Sequence, residues 1–203
     1  MTTDPSQQRI ALFPLHTVLF PGCILPLQIF EQRYLRLVKN AIQDQQGFAV
    51  VLISAGKEVG DAPDVYNIGC FVEIIDWETL PNGLLGITIA ARHRVQVTAP
   101  CAQHDGLLMA ASCDLPEDRD FNNQNLLDEY SDLVDTLKHL QQHPFVLAQG
   151  LQLDYSSCLD VSNKLAYLLP VSSQVKQSLL ETTNLEQRMQ ALRKIIQQLQ
   201  NQA

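Results

Sequence analysis

The sequence predicts an α+β protein, with a disordered or extended N-terminus over residues 1–9, a β-rich lobe over residues 10–115 and a helical lobe over residues 116–203. Short runs rich in Val and Ile, separated by Gly, Pro, Asn and Asp, fill the first lobe. Apolar residues at helical spacing fill the second lobe. With 46% hydrophobic and 18% charged residues, the chain has enough apolar material for a core, which excludes intrinsic disorder.

The β-rich lobe contains many short candidate strands, a pattern that favours a small barrel or sandwich. The candidate strands are 10–13, 23–29, 48–53, 68–75, 84–90, 93–98 and 107–112. Asn82-Gly83 is the clearest hairpin turn, because Asn-Gly readily adopts the positive φ angles that a tight turn needs. Pro14, Pro21 and Pro26 cannot donate a backbone hydrogen bond, so we expect edges, bulges or breaks where they occur.

One helix interrupts the β-rich lobe. Apolar side chains at helical spacing run from Phe30 through Tyr34 to Ile42 and form a single stripe. We expect Phe30 and Tyr34 to pack in the core at the start of this stripe. Glu31 suits the positive end of the helix dipole, and Gly47 is the predicted stop.

Amphipathic helices dominate the second lobe. The predicted helices cover residues 126–140, about 159–169, about 173–181, and a last segment that begins near Thr183. Pro144 ends the first of them, and Thr183 with Glu186 has the spacing of a capping box at the start of the last. We expect the apolar stripe of the last helix to pack within its own bundle.

Charge and composition argue against several classes of protein. A formal net charge of −8 disfavours a protein whose main task is to neutralise phosphates. There is no signal-peptide pattern and no apolar run near the ~20 residues that span a bilayer, so we expect a cytoplasmic protein without a membrane segment. The five cysteines are scattered without a Cys-x-x-Cys pair, which predicts free thiols rather than a zinc site or a disulfide framework.

Familiar catalytic motifs are absent from the sequence. It has no phosphate loop, dinucleotide-type glycine triplet, Gly-x-Ser-x-Gly elbow or His-Glu-x-x-His helix. His139 and His143 are four residues apart, but two His alone make a weak metal site and Pro144 disrupts the helix there. We therefore predict no catalytic residue, no metal ligand and no cofactor.

The most specific stretch of the sequence is residues 12–34. It reads Leu-Phe-Pro-Leu-His-Thr-Val-Leu-Phe-Pro-Gly, then, after Cys23 and Ile24, Leu-Pro-Leu-Gln-Ile-Phe-Glu-Gln-Arg-Tyr. This order of Pro-Leu, Phe-Pro-Gly and Pro-Leu-x-Ile-Phe-Glu-x-Arg-Tyr resembles the opening of the substrate-binding N-terminal domain of Lon, the ATP-dependent protease La family. The likeness continues through residues 48–53, 67–70, 81–83 and 92–95 into the late helices. His93 departs from it, since the family usually has an aromatic residue there, and Ala90-Ala91 stands where a glycine is common.

The resemblance implies a fold and a role. The fold is a pseudouridine-synthase-and-archaeosine-transglycosylase-like (PUA-like) barrel followed by a helical lobe, both within one Lon N-terminal-type domain. The ATPase module and the Ser-Lys protease module of Lon are not among these residues. The leading hypothesis is therefore a non-catalytic, stand-alone recognition module for unfolded or exposed polypeptide segments. A separate protease or chaperone is a further candidate partner, and the oligomeric state stays open.

Two other functions remain as alternatives. The PUA-like barrel could bind RNA, which would require Arg33, Arg92 and Arg94 to form a basic patch, and the net charge of −8 counts against this. A hydrolase acting alone would turn over peptides as the purified chain.

The candidate site residues fall into two groups within the opening stretch. The candidate peptide contacts are Leu15, Val18, Leu19, Phe20 and Leu25. The motif residues with a mainly structural role are Pro14, Pro21, Gly22, Pro26, Phe30, Glu31, Arg33 and Tyr34. We expect Gly22 to adopt a turn conformation that other residues avoid. Glu31 and Arg33 are too close in sequence to face each other on one helix, so we expect each to bond to backbone or to a strand across the lobe junction.

Overall fold

The computed structural model describes residues 8–116, 124–148 and 150–201. It contains a six-stranded sheet and several helices, so the predicted α+β class is confirmed. The chain divides into two compact units, Met1–Leu115 and Pro116–Ala203. We call them the β unit and the helical unit.

The β unit is a strand ring with one additional strand. Its elements are β1 (Gln8–Leu15), β2 (Ile24–Ile29), α1 (Gln32–Asp44), β3 (Phe48–Ala55), β4 (Asp64–Thr79), β5 (Leu85–Ala102) and β6 (Leu108–Asp114). The strand order is β2-β5-β4-β3-β1-β6, and β6 also pairs with β5. This last pairing closes β1, β3, β4, β5 and β6 into a small barrel and leaves β2 as an edge strand attached to β5. The pairing of β1 with β3 is parallel, and the other pairings are antiparallel.

β5 is a single strand of 18 residues where the sequence analysis predicted two. No Gly or Pro separates the predicted segments, so the strand continues through Ala91 and Arg92. Its first part pairs with β2, and its second part pairs with β6. The register shifts between Thr98 and Cys101, where Ala99 has a φ of 49°. One strand therefore belongs both to the closed barrel and to the edge extension.

Apolar side chains from the barrel strands form the core of the β unit. The fully buried members include Leu12, Ala49 and Val97. The Tyr34 ring of α1 stacks on the Phe13 ring of β1 at 4.3 Å between centroids. α1 ends at Gln45, which has a φ of 51°, and the predicted stop at Gly47 is wrong.

The helical unit is built around one central helix. Its helices are α2 (Gln124–Glu129), α3 (Ser131–Gln141), α4 (Pro144–Ala148), α5 (Cys158–Leu168), α6 (Ser173–Glu181) and α7 (Leu185–Gln200). α5 contacts α3, α6 and α7, and it is therefore buried on several sides, with Ser162, Asn163 and Lys164 all covered. Arg193 joins α7 to the α2–α3 region, because its Nε donates to Asp132 Oδ2 at 2.9 Å and its guanidinium lies 4.0 Å from the Tyr130 ring centroid.

Two details of the helical unit differ from the predictions. The stripe over 126–140 is two helices rather than one, because the backbone leaves the helical region at Tyr130 (φ −108°, ψ 32°). The last helix is capped by Asn184, whose side chain accepts a hydrogen bond from the Gln187 N–H, so the predicted cap at Thr183 is wrong. Within the described ranges, none of the helices has the length and apolar character needed to cross a bilayer.

Candidate functional site

The candidate peptide contacts of the opening stretch lie mostly in the interior of the β unit. Leu15, Val18, Leu19 and Phe20 are buried, while Leu25 in β2 is half-buried. The segment between β1 and β2 is held down by hydrogen bonds from the Cys70 thiol to the Leu19 carbonyl and from the Gly22 N–H to the Ala91 carbonyl. In this structure these four side chains pack in the core, and of them Leu15 also lines the wall of a groove beside β2.

The structural motif residues divide between the core and the surface. Pro14, Pro21, Arg33 and Tyr34 are buried, and Gly22 has a φ of 78°, which a residue with a side chain adopts at a cost. Pro26 is exposed in the middle of β2.

Phe30 is the main exception among the motif residues. The prediction that it packs in the core is wrong, because α1 begins only at Gln32 and Phe30, in the link before it, is 56% exposed.

Arg33 forms hydrogen bonds with two loops near β2. Its guanidinium donates to the Gly106 carbonyl at 3.1 Å and the Glu58 carbonyl at 3.3 Å. These bonds to backbone carbonyls are of the kind predicted for Arg33, whereas its ion pair with Glu31 at 3.0 Å departs from the expectation that the two side chains do not face each other. Glu31 is the residue before the helix, with φ −80° and ψ 137°, and helical spacing rules do not apply to it. The contact with Glu58 places the following residue, Val59, next to the β2–α1 link.

A first groove lies on one side of β2. It has a volume of about 110 Å³ and is lined by Phe13, Pro14, Leu15, Leu27, Gln28, Ile29, Phe30, Glu31, Tyr34, Glu58 and Val59. Phe30 and Val59 are 56% and 54% exposed at this groove. A single exposed apolar side chain is common, but two of them at one groove form a patch of the kind that is typical of interaction sites.

A second groove lies across the junction of β2, β5 and β4. It has a volume of about 210 Å³ and is lined by Pro26, Leu27, Gln28, Asp76, Trp77, Glu78, Leu80, Gly86, Ile87 and Thr88. Leu27, Ile87 and Trp77 are paired residues of the three adjacent strands and form a row. Ile87 is buried and Trp77, at the outer end of this row, is 57% exposed.

The two grooves meet at β2, because Leu27 and Gln28 line both. We call Leu27, Phe30, Val59 and Trp77 together the β2-edge surface. The sequence analysis missed Leu27, Val59 and Trp77 as contact residues. Trp77 carried a usable signal, as the one Trp of the chain between two acidic residues near a strand end, whereas Val59 carried none.

Carboxylates surround the β2-edge surface. Glu31 and Glu58 line the first groove, and Asp76 and Glu78 line the second. Burial raises the pKa of Tyr34 to about 12, with Arg33 opposing the rise and the carboxylates of Glu31 and Glu58 adding to it.

The residues needed for an RNA-binding patch are not assembled at the surface. Arg94 and Arg33 are buried at 1% and 6% exposure, and the exposed Arg92 forms an ion pair with Glu73 at 2.7 Å. His93 lies at the wall of a polar cavity of about 470 Å³, where it stacks on Phe71 at 4.9 Å and contacts Asp114 at 3.0 Å. The imidazole thus occupies a stacking position that suits the aromatic residue usual in the resembled family.

Comparison with known proteins agrees with this architecture. The family model of the ATP-dependent protease La (LON) substrate-binding domain matches residues 9–198. Lon protease of Orientia tsutsugamushi (strain Ikeda) is 30% identical in an alignment of 199 positions that covers 93% of this chain and 25% of that protein. Lon protease of Bacillus thuringiensis (strain Al Hakam) is 23% identical, with 96% of this chain and 25% of that protein aligned. The chain thus spans about a quarter of the length of these relatives.

Solved structures resemble the whole fold. A Lon N-terminal domain protein from Xanthomonas campestris superposes with a TM-score of 0.73 and 27% identity, covering 91% of this chain and 96% of that one. The N-terminal domain of the Mycobacterium avium complex Lon protease has the same fold, with a TM-score of 0.66 at 14% identity and the same coverage. With the family model matching nearly its full length, the chain belongs to the family of ATP-dependent protease La (Lon) substrate-binding domains.

Proposed function

We propose that this chain binds extended polypeptide segments at the β2-edge surface and contributes no cleavage chemistry of its own. The observation that carries the proposal is the exposure of Phe30, Val59 and Trp77 beside an edge strand, in a domain whose family is described as substrate-binding. Clustered exposed apolar residues are typical of interaction sites. The five free thiols support a reducing, cytoplasmic setting for this activity.

Side-chain burial is the expected source of affinity. Pro26 has no N–H to give to an added strand, so strand addition along the whole of β2 is interrupted at its middle. The two grooves instead offer depressions on both sides of Leu27 into which alternate side chains of an extended segment fit. Covering an exposed Phe or Trp side chain contributes up to about 2 kcal/mol.

The test is binding of a permanently unfolded, Trp-free polypeptide. Trp77 is the one Trp of the chain, so its emission should shift to the blue when the polypeptide covers it. With a labelled polypeptide, Phe30→Ser combined with Trp77→Ser should weaken binding at least tenfold. Leu147→Ser removes a comparable exposed apolar side chain, 60% exposed, from the helical unit and should leave the affinity unchanged.

The outcomes separate binding from catalysis. Unaltered affinity in the Phe30→Ser/Trp77→Ser variant would overturn the proposed site. We expect the bound polypeptide to stay intact during prolonged incubation with and without ATP, and fragments in a gel would contradict the non-catalytic role.

A further inference from the structure

The charged side chains that line the two grooves of the β2-edge surface are acidic. Glu31, Glu58, Asp76 and Glu78 line the two grooves, and no Lys, Arg or His is among the lining residues that the structure describes there. Of the four carboxylates, only Glu31 forms an ion pair within the described ranges, with Arg33. Glu58 accepts a hydrogen bond from the His16 N–H at 2.6 Å, and Asp76 accepts one from the Trp77 N–H at 2.9 Å.

These hydrogen bonds do not cancel the charge. A backbone N–H orients a carboxylate without neutralising it, so Glu58, Asp76 and Glu78 present negative charge beside exposed apolar side chains. A ligand that covers Phe30 and Trp77 must bring its flanking residues close to these carboxylates.

From this charge pattern, and on the basis of the proposed function, we infer that the β2-edge surface selects extended apolar segments flanked by Lys or Arg over segments flanked by Asp or Glu. A cationic flank gains attraction at the groove rims, whereas an acidic flank meets repulsion, and both effects contribute to specificity. Since Asp76 and Glu78 are exposed and Glu31 and Glu58 are half-buried, salt should screen the preference.

The same charges argue against a second copy of this chain as the occupant. Two copies meeting through the same surface would place Asp76 and Glu78 of one protomer near the equivalent carboxylates of its partner. Like charges across an interface disfavour association, and Pro26 interrupts the pairing of two β2 edges. The overall charge of −8 adds to the repulsion.

The experiment uses three labelled peptides with one apolar core and flanks of Lys, Ser or Glu. At low salt we expect the Lys-flanked peptide to bind about tenfold more tightly than the Glu-flanked peptide, with the Ser-flanked peptide between them. In 0.5 M NaCl the ratio should fall below about threefold. The Asp76→Asn/Glu78→Gln variant should also reduce it, while Asn at position 76 can still accept the Trp77 N–H.

A charge-matched control keeps the interpretation specific. Asp44→Asn/Asp114→Asn removes the same formal charge from residues that line a different cavity, and it should retain the tenfold ratio. Equal affinity for the Lys-flanked and Glu-flanked peptides would overturn the inference, and so would an unchanged affinity ratio in Asp76→Asn/Glu78→Gln. In either case, binding of the Ser-flanked peptide would still support the proposed function. Failure of all three peptides would overturn both. A dimer in sedimentation that dissociates in Phe30→Ser would identify a second copy as the occupant and would also overturn the inference.

Discussion

The strands β1 and β2 come from the same apolar, proline-containing stretch, but they have different surroundings. β1 pairs with β3 on one side and β6 on the other, and Leu12 within it is fully buried. β2 pairs with β5 alone, and its end at Ile29 leads directly to the exposed Phe30. The strand paired on both sides is therefore mostly buried, whereas β2, paired on one side, is half-buried or exposed at every residue but Ile29.

The largest expected difference between β1 and β2 is in stability, and the same substitution in both strands tests it. Leu12→Ala should lower the free energy of unfolding by about 3 kcal/mol, because it leaves a cavity in the barrel. Leu27→Ala should lower it by less than about 1 kcal/mol, because Leu27 is only partly covered. Urea unfolding followed by Trp77 emission measures the β unit specifically, and equal losses in the two variants would contradict the distinction.

The pH dependence of stability at alkaline pH tests the burial of Tyr34 in α1, the helix that follows β2. Because the pKa of Tyr34 is about 12 in the folded chain and near 10.0 when unfolded, folding is favoured while the phenol stays protonated. The resulting stability is fully present below about pH 10 and is lost as the pH rises towards 12, by on the order of 2 kcal/mol. Tyr34→Phe should lose less stability over that pH range, and parallel curves for both proteins would refute this.

The turn that separates the two strands should give the smallest effect. Gly22→Ala places a Cβ on a residue with φ 78° and should lower stability by about 1 kcal/mol. Gly22→Asn is the matched control, because Asn tolerates the left-handed region better and should lose less. Identical melting temperatures for the Ala variant and the unmodified chain would show that the turn carries no strain.

Local patterns were sufficient to predict much of the fold. Helix α6 was predicted at the residues where it occurs, because Pro170 and the apolar spacing mark it without long-range information. The strand-rich barrel also follows from turn residues and alternation. The sequence predicts two strands in place of β5 because Arg92 interrupts the apolar pattern. In the structure, pairing with β4 continues on both sides of Arg92 and makes one strand.

The candidate site depended on information that is not local. Phe30 shares helical spacing with Tyr34, so periodicity assigned it to the core, and only the start of α1 at Gln32 reverses this. Val59 reaches the first groove because Arg33, 25 residues away in sequence, bonds to Glu58. Neither contact can be recognised from residue type or spacing alone.

The double role of β5 has a mechanical consequence. Hydrogen bonds between antiparallel strands are perpendicular to the strands, so a pull along β2 loads the β2–β5 bonds together, in shear, rather than one at a time. β5 continues into the barrel, where β4 and β6 hold it on both sides. A chain bound at the β2-edge surface and pulled along it would therefore transmit its tension through β5 to the closed barrel.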